Sequence, residues 1–459
     1  MDNRFTQYFT ENRDRHLNEL KQLLQIPSIS ALSENKKDVI RAAEWIANSL
    51  KQAGMDNVKV MPTKGHPVVY GEWLKAEGKP TVLIYGHYDV QPVDPLELWE
   101  TPPFEPDIRD HKIYARGATD DKGQTFMHIK ALEAILHTTG TLPLNFKFCI
   151  EGEEEIGSPN LDLFVEENKD LLTADVLVIS DTPMLEKGKP AICTGLRGLC
   201  GLQIDVKGAV GDLHSGLYGG AVQNPIHALV RILDSMRNQD GQIAVEGFYD
   251  RVVPVSEEEQ EAFRSLGINE EAIRQELGVP EFFGEKGYSL LERTWVRPTL
   301  EINGIYGGFQ GEGIKTVLPS EAHAKITCRL VPDQDPDEIV ALIRKHIEKH
   351  TPPGVTVTTQ LFDRGRPFAT PIDHPAIQAA GRAYEAVYKA PAAFTRMGGS
   401  IPIVETFGRL LQLPVVLMGF GLPNENFHAP NEHFHLENFD KGLLTLCEYW
   451  FELERTLEN

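Results

Sequence analysis

The sequence predicts an α/β protein: a larger domain with a central, mostly parallel sheet flanked by helices, interrupted by an inserted ferredoxin-like α+β domain. Three observations predict it. Short apolar runs alternate with amphipathic helical stretches towards both ends of the chain, the pattern of a layered α/β fold. The middle instead reads in the order β-α-β-β-α-β, which is the ferredoxin-like succession. The chain has 459 residues, more than a single hydrophobic core usually serves.

The elements follow in order. Leu17, Leu20 and Leu24 recur at helical spacing, and a second helix carries Ile40, Ala43, Ala47 and Leu50 on one face, with Asp38 as its cap and Gly54 as its stop. Apolar runs over 81–85, 146–150, 176–180 and 414–418 read as buried strands. A helix over 122–137 turns Phe126, Ile129, Leu132 and Leu136 inward. In the middle, strands over 201–207, 300–305, 322–330 and 355–361 accompany two helices. One starts at Asn224-Pro225 with Ile226, Leu229, Val230 and Leu233 inward; the other starts at Asp335-Pro336 with Ile339, Leu342 and Ile343. The polar stretch 239–297 reads as an insertion. The expected division is 203–367 for the inserted domain and 1–202 with 368–459 for the other.

Composition is that of a globular protein, with 41% hydrophobic and 24% charged residues, and the formal net charge is -22. That charge argues against nucleic acid or an anionic membrane as partner. No stretch approaches membrane-spanning length, and Met1 to Phe5 start no apolar signal core. Cys149, Cys193, Cys200, Cys328 and Cys447 are odd in number and without a CxxC pair. They read as reduced, buried thiols of a cytoplasmic protein.

Open α/β sheets bind ligands beyond the carboxyl ends of their strands. His87 and Asp89 follow the 81–85 strand, Glu153, Glu154 and Glu155 follow 146–150, Asp181 follows 176–180, and His428 lies in the loop after 414–418. Asp120 and Asp121 stand just before the 122–137 helix. Each feature alone has a plainer meaning: a structural histidine, a solvated acidic turn, a helix cap. Together they put imidazole and carboxylate groups from distant parts of the chain on one rim. Uncompensated carboxylates repel, and divalent cations that accept both donor types relieve the repulsion. Two such ions could share a carboxylate and activate a water. Adjacent residues of an extended segment point opposite ways, so Glu154 and Glu155 are expected to differ in role.

The same residues lie in three long motifs: 86–92 (GHYDVQP), 114–123 (YARGATDDKG) and 151–158 (EGEEEIGS). The chain thereby resembles, over essentially its whole length, the co-catalytic zinc exopeptidases, the family of carnosinases, bacterial dipeptidases, aminoacylases and desuccinylases. Ser180-Asp181 and 328–332 (CRLVP) bring it nearer the carnosinase-like dipeptidase branch. The resemblance implies that the larger domain is catalytic and the inserted one a lid and dimerisation domain. It implies hydrolysis of the peptide bond of dipeptides or small peptides, with two divalent ions, zinc first and manganese or cobalt as alternatives. His87, Asp120 and Asp181 would hold one ion, and Asp120, Glu155 and His428 the other. Glu154 would be the general base, Asp89 would orient His87, and the Asp120–Asp121 peptide would be cis. His433 and His435 rival His428, and Glu153 is expected to take neither metal nor base role.

The stretch 211–220 (GDLHSGLYGG) resembles a segment whose histidine serves the neighbouring subunit. A homodimer with His214 stabilising the oxyanion in trans is therefore implied. Arg329, Asn303, Thr316, Gly399 and Ser400 match segments that bind substrate, with Arg329 on the terminal carboxylate; a surface ion pair is the plainer role for Arg329. Rival readings are an N-acyl-amino-acid amidohydrolase (a deacylase or desuccinylase) and a non-catalytic metal- or peptide-binding protein.

Overall fold

The computed structural model describes residues 3–399 and 402–457. It divides into two units, one comprising 1–194, 370–395 and 402–459 and the other 195–369 with 396–401. These limits start the inserted unit before residue 203. The reason is local: the strand expected over 201–207 runs from Gly198 to Lys207, and all of it pairs within the second unit's sheet.

The first unit is built on a mixed sheet. The strands Asn145–Glu151, Thr81–His87, Val176–Ile179 and Val415–Met418 are neighbours in that order and parallel. Asp56–Met61 and Val68–Trp73 extend the sheet antiparallel at one side. The parallel strands are buried along almost their whole length, as strands covered on both faces must be. Helix Lys122–Thr139 is buried nearly all round and ends at Gly140, whose φ of 78° suits the left-handed turn that closes a helix. Helices Asn3–Leu24, Lys36–Gln52, Pro375–Tyr388 and Leu436–Leu457 complete the unit. The Lys36–Gln52 helix corrects two expectations. It begins two residues before Asp38, so Asp38 lies in its first turn instead of capping it. Val39 fills the core while Ile40 is exposed.

The second unit has the expected order of elements. Its sheet runs Thr299–Gly307, Glu321–Leu330, Gly198–Lys207, Thr356–Gly365, antiparallel throughout. Helices Pro225–Ser235 and Pro336–His350 cover one face. Asn224 and Asp335 cap them by accepting backbone amides, each cap contributing about 1 kcal/mol. Val230 is half exposed, unlike Leu229 and Leu233 of the same helix. The 239–297 stretch is not unstructured: it forms helices Glu257–Ser265, Glu270–Leu277 and Leu290–Trp295. All five cysteines are buried and lie outside any disulfide. Among the described residues, no helix is long and apolar enough to cross a membrane.

Close packing at the sheet's carboxyl end concentrates on glycine. A Cβ at Gly419 would lie 1.4 Å from the Thr182 carbonyl oxygen, where only backbone movement could relieve it. Gly419→Ala is therefore expected to cost about 3 kcal/mol and to lower the thermal midpoint by several degrees. A melting curve matching the wild type would refute this packing.

Candidate active site

The parallel strands bring four chain segments to one rim. His87 is the last residue of its strand, the Glu154–Ile156 turn follows the Asn145–Glu151 strand, and Asp181 lies two residues beyond Ile179. The loop carrying His428 follows Val415–Met418. Asp120 precedes helix Lys122–Thr139 across a cis Asp120–Asp121 peptide.

Their side chains converge. His87 Nε2 lies 3.3 Å from Asp120, 3.9 Å from Asp181 and 4.0 Å from Glu154. His428 Nε2 lies 2.8 Å from the other oxygen of Asp120 and 3.2 Å from Glu155. Two donor groups can each surround a cation: His87 with Asp120 and Asp181, and Asp120 with Glu155 and His428. Asp120 belongs to both, one oxygen turned to each histidine. His433 and His435, the rivals of His428, belong to neither group among the described residues.

A divalent cation fits this donor set on two grounds. His87 Nε2 is buried and has no hydrogen-bond partner, although it faces three carboxylates. The carboxylates also strain one another. Burial, and then the charge of Asp120, raises Asp181 well above the ordinary range. Burial, opposed by His87 and reinforced by Glu155 and Asp120, pushes Glu154 up to about 7. Burial alone would raise Asp120 too, but a hydrogen bond from His428 and the imidazole of His87 facing it hold it well below the usual range. His428 is pushed up to about 10 by Asp120 and Glu155. Imidazole with carboxylate is the ligand chemistry of zinc and its neighbours.

Glu154 and Glu155 do differ, but not because the segment is extended. They sit in one 3-10 turn, where successive side chains are rotated by about a third of a turn. Glu154 faces His87 and Glu155 faces His428. Asp89 holds that turn. Its two oxygens accept the backbone amides of Glu154 and Glu155 at 3.2 and 3.1 Å, while Oδ1 lies 3.4 Å from His87 Nδ1. The backbone oxygen of Asp89 is 3.1 Å from the same nitrogen. Glu153 accepts from His66 and Asn160 and stays out of the cluster.

Several positioning residues carry no signal in the sequence. Glu432, fully buried, accepts the backbone amides of Gly117, Thr119 and Asp120 and the guanidinium of Arg116. It clamps the loop that presents Asp120. Glu425 accepts from Thr119, Leu422 and His435, and Gln91 donates to Glu155 at 2.8 Å. Gln91 and Arg116 lie inside the motifs quoted above and Glu432 shortly after His428, but hydrophobic periodicity says nothing about them.

The remaining site residues lie in the second unit. His214 is exposed at the start of helix Ser215–Tyr218 and accepts the Gly216 amide through Nδ1 at 3.0 Å. Its Nε2 is therefore the protonated, donating nitrogen of the neutral ring. Thr316 adjoins it, its carbonyl accepting from Ser215. Asn303 stands at an irregularity of the Thr299–Gly307 edge strand, and Arg329 is half-buried on the neighbouring strand. Gly399 is exposed, and Ser400 lies outside the described residues.

This convergence at the rim of a parallel sheet defines a metal-dependent hydrolase. The sequence pattern of "Peptidase family M20/M25/M40" matches residues 83–452, and the chain belongs to that family. It is an enzyme that hydrolyses peptide bonds. The chain is 32% identical to the Cys-Gly metallodipeptidase dug1 of Schizosaccharomyces pombe, over 96% of each chain. It is 32% identical to the human Beta-Ala-His dipeptidase, over 97% of this chain and 92% of that protein. The solved structure of the metallo-carboxypeptidase Sso-CP2 from Sulfolobus solfataricus superposes with a TM-score of 0.79, at 32% identity, covering 96% of this chain and 99% of that one.

A ligand imidazole must be neutral, so a cation has to displace the proton that His428 holds at pH 7. Metal loading is expected to release protons and to weaken as the pH falls. Titration calorimetry in two buffers of different ionisation enthalpy measures this. Heats independent of the buffer would contradict it.

Proposed function

We propose that the protein is a cytoplasmic, homodimeric dipeptidase that removes the C-terminal residue of dipeptides or other small peptides with two divalent cations, zinc in the first instance. One observation carries the reading: Asp120 turns one oxygen to each of two histidine-carboxylate groups, with Glu154 beside them. His87, Asp120 and Asp181 would hold one cation, and Asp120, Glu155 and His428 the other. When bound, the cations supply Lewis-acid activation of a water and of the scissile carbonyl.

The chain's own residues do the rest. Asp89 fixes the ring of His87 so that Nε2 is offered to the cation. Glu154 takes the proton of the attacking water and returns it to the leaving amine, a role that its place beside His87 and outside both donor groups suits. His214 of the neighbouring subunit donates from Nε2 to the oxyanion, a contribution typically of about 3 kcal/mol. Arg329 pairs with the terminal carboxylate, helped by Gly399 and Ser400, while Asn303 and Thr316 contact the substrate's polar backbone. The relatives act as dipeptidases by name, which counts against the N-acyl-amino-acid alternative. Five buried thiols without a disulfide suit a reducing compartment.

Glu154→Gln is expected to keep both cations and to lose roughly 10²- to 10⁴-fold in kcat on dipeptides. Rates on dipeptides and on N-acyl amino acids, with zinc, manganese or cobalt and with metal content measured alongside, decide it. Wild-type turnover by that variant, or a preference for N-acyl amino acids, would sink the reading.

Mixing inactive His214→Ala and Glu154→Gln subunits is expected to regenerate about a quarter of the wild-type activity, because a hybrid two-fold dimer holds one intact site. No recovery after subunit exchange would place the His214 function in its own subunit.

A further inference from the structure

The 239–297 insertion has an unusual acidic residue. Glu259 lies on the Glu257–Ser265 helix, among acidic neighbours, yet is only 6% exposed. Its carboxylate pairs bidentately with Arg396: Nε to Oε1 at 2.5 Å and Nη2 to Oε2 at 2.9 Å. Buried ion pairs at such geometry fix orientation more than they add stability.

Arg396 opens the turn that leads to Gly398 and Gly399. That turn is held from a second side by Arg197, whose backbone amide donates to the Met397 carbonyl at 3.3 Å and whose Nε donates to the Gly398 carbonyl at 3.1 Å. Arg197 Nη1 reaches the carbonyl of Arg297, an insertion residue, at 3.4 Å. A Cβ at Gly398 would come within 2.7 Å of Arg197 Nη2 and 2.8 Å of the Thr294 carbonyl, so the turn is pressed between the insertion and Arg197. Arg197 also feels Arg329. Burial first, and then the charge of Arg329, bring its guanidinium down to about 10. Leu199, two residues on, pairs in register with Arg329.

We propose that the insertion is a specificity element: the Glu259–Arg396 pair positions the Gly398–Gly399 turn beside Arg197 and Arg329, forming a seat for the free carboxylate of the substrate's C-terminal residue. Glu259 and Arg396 act as positioning residues, and Arg197 supplies a second guanidinium next to Arg329. The proposal rests on the reading of Arg329 and Gly399 as the carboxylate grip.

The test compares a dipeptide with the same dipeptide amidated at its C-terminus, on metal-loaded enzyme. The wild type is expected to prefer the free acid by roughly a hundredfold in kcat/KM. In Glu259→Gln, KM for the dipeptide is expected to rise roughly tenfold, with kcat changing less, and the acid-over-amide preference to fall by about the same factor. Glu259→Asp, which keeps the charge on a shorter arm, is expected to fall between, and it carries the test should the Gln variant fail to fold by its melting curve. The Glu259→Gln, Arg396→Gln double variant is expected to lose no more than either single change, because the two act as one pair. A folded Glu259 variant with undiminished acid preference, or additive losses in the double variant, would overturn the insertion's role. A wild type indifferent to amidation would overturn the carboxylate grip itself, a result separable from the first.

Discussion

The structure turns on an electrostatic conflict. Asp120, Glu154, Glu155 and Asp181 meet around two imidazoles at a mostly buried rim. In a low-dielectric setting such carboxylates cannot all stay ionised without added positive charge. Protons would relieve the conflict in part, and burial with neighbouring negative charge pushes Asp181 and Glu154 towards the protonated form. A pair of divalent cations would relieve it more completely and leave Glu154 free to exchange a proton.

Holding groups that repel requires a rigid frame. The parallel strands supply it, since their buried ladders fix where each carboxyl end points. Buried acidic residues then fasten the loops. Asp89 ties the Glu154–Glu155 turn to His87, and Glu432 gathers three amides and Arg116 behind Asp120. Removing one partner of the Arg116–Glu432 pair leaves an uncompensated buried charge, a loss typically of about 3–5 kcal/mol. The positioning residues are thus as constrained as the donors they serve.

Much of this was legible in the sequence. Apolar runs located the parallel strands to within a residue or two, but gave no sign of Asp56–Met61 and Val68–Trp73 and stopped short of the ends of Gly198–Lys207 and Thr356–Gly365; Asn224 and Asp335 marked helix starts. Placement beyond strand ends singled out His87, Glu155, Asp181 and His428, and placement before a helix singled out Asp120, the groups that lie together at the rim. Where the reading erred, the reason is geometric. Ile40 and Val39 are adjacent, and a small rotation of the helix decides which is buried. Glu154 and Glu155 diverge because a 3-10 turn rotates them, not because a strand alternates them.

The primary chain by itself determined which elements form and which side chains have the chemistry for the site, because periodicity and donor type are local properties. Only the tertiary structure decided that Glu432 clamps the Asp120 loop and that Glu259 of the insertion reaches Arg396 across 137 positions of sequence. Such contacts depend on how distant segments pack. No local pattern encodes them, since a buried glutamate and a solvated one look alike until the chain has folded.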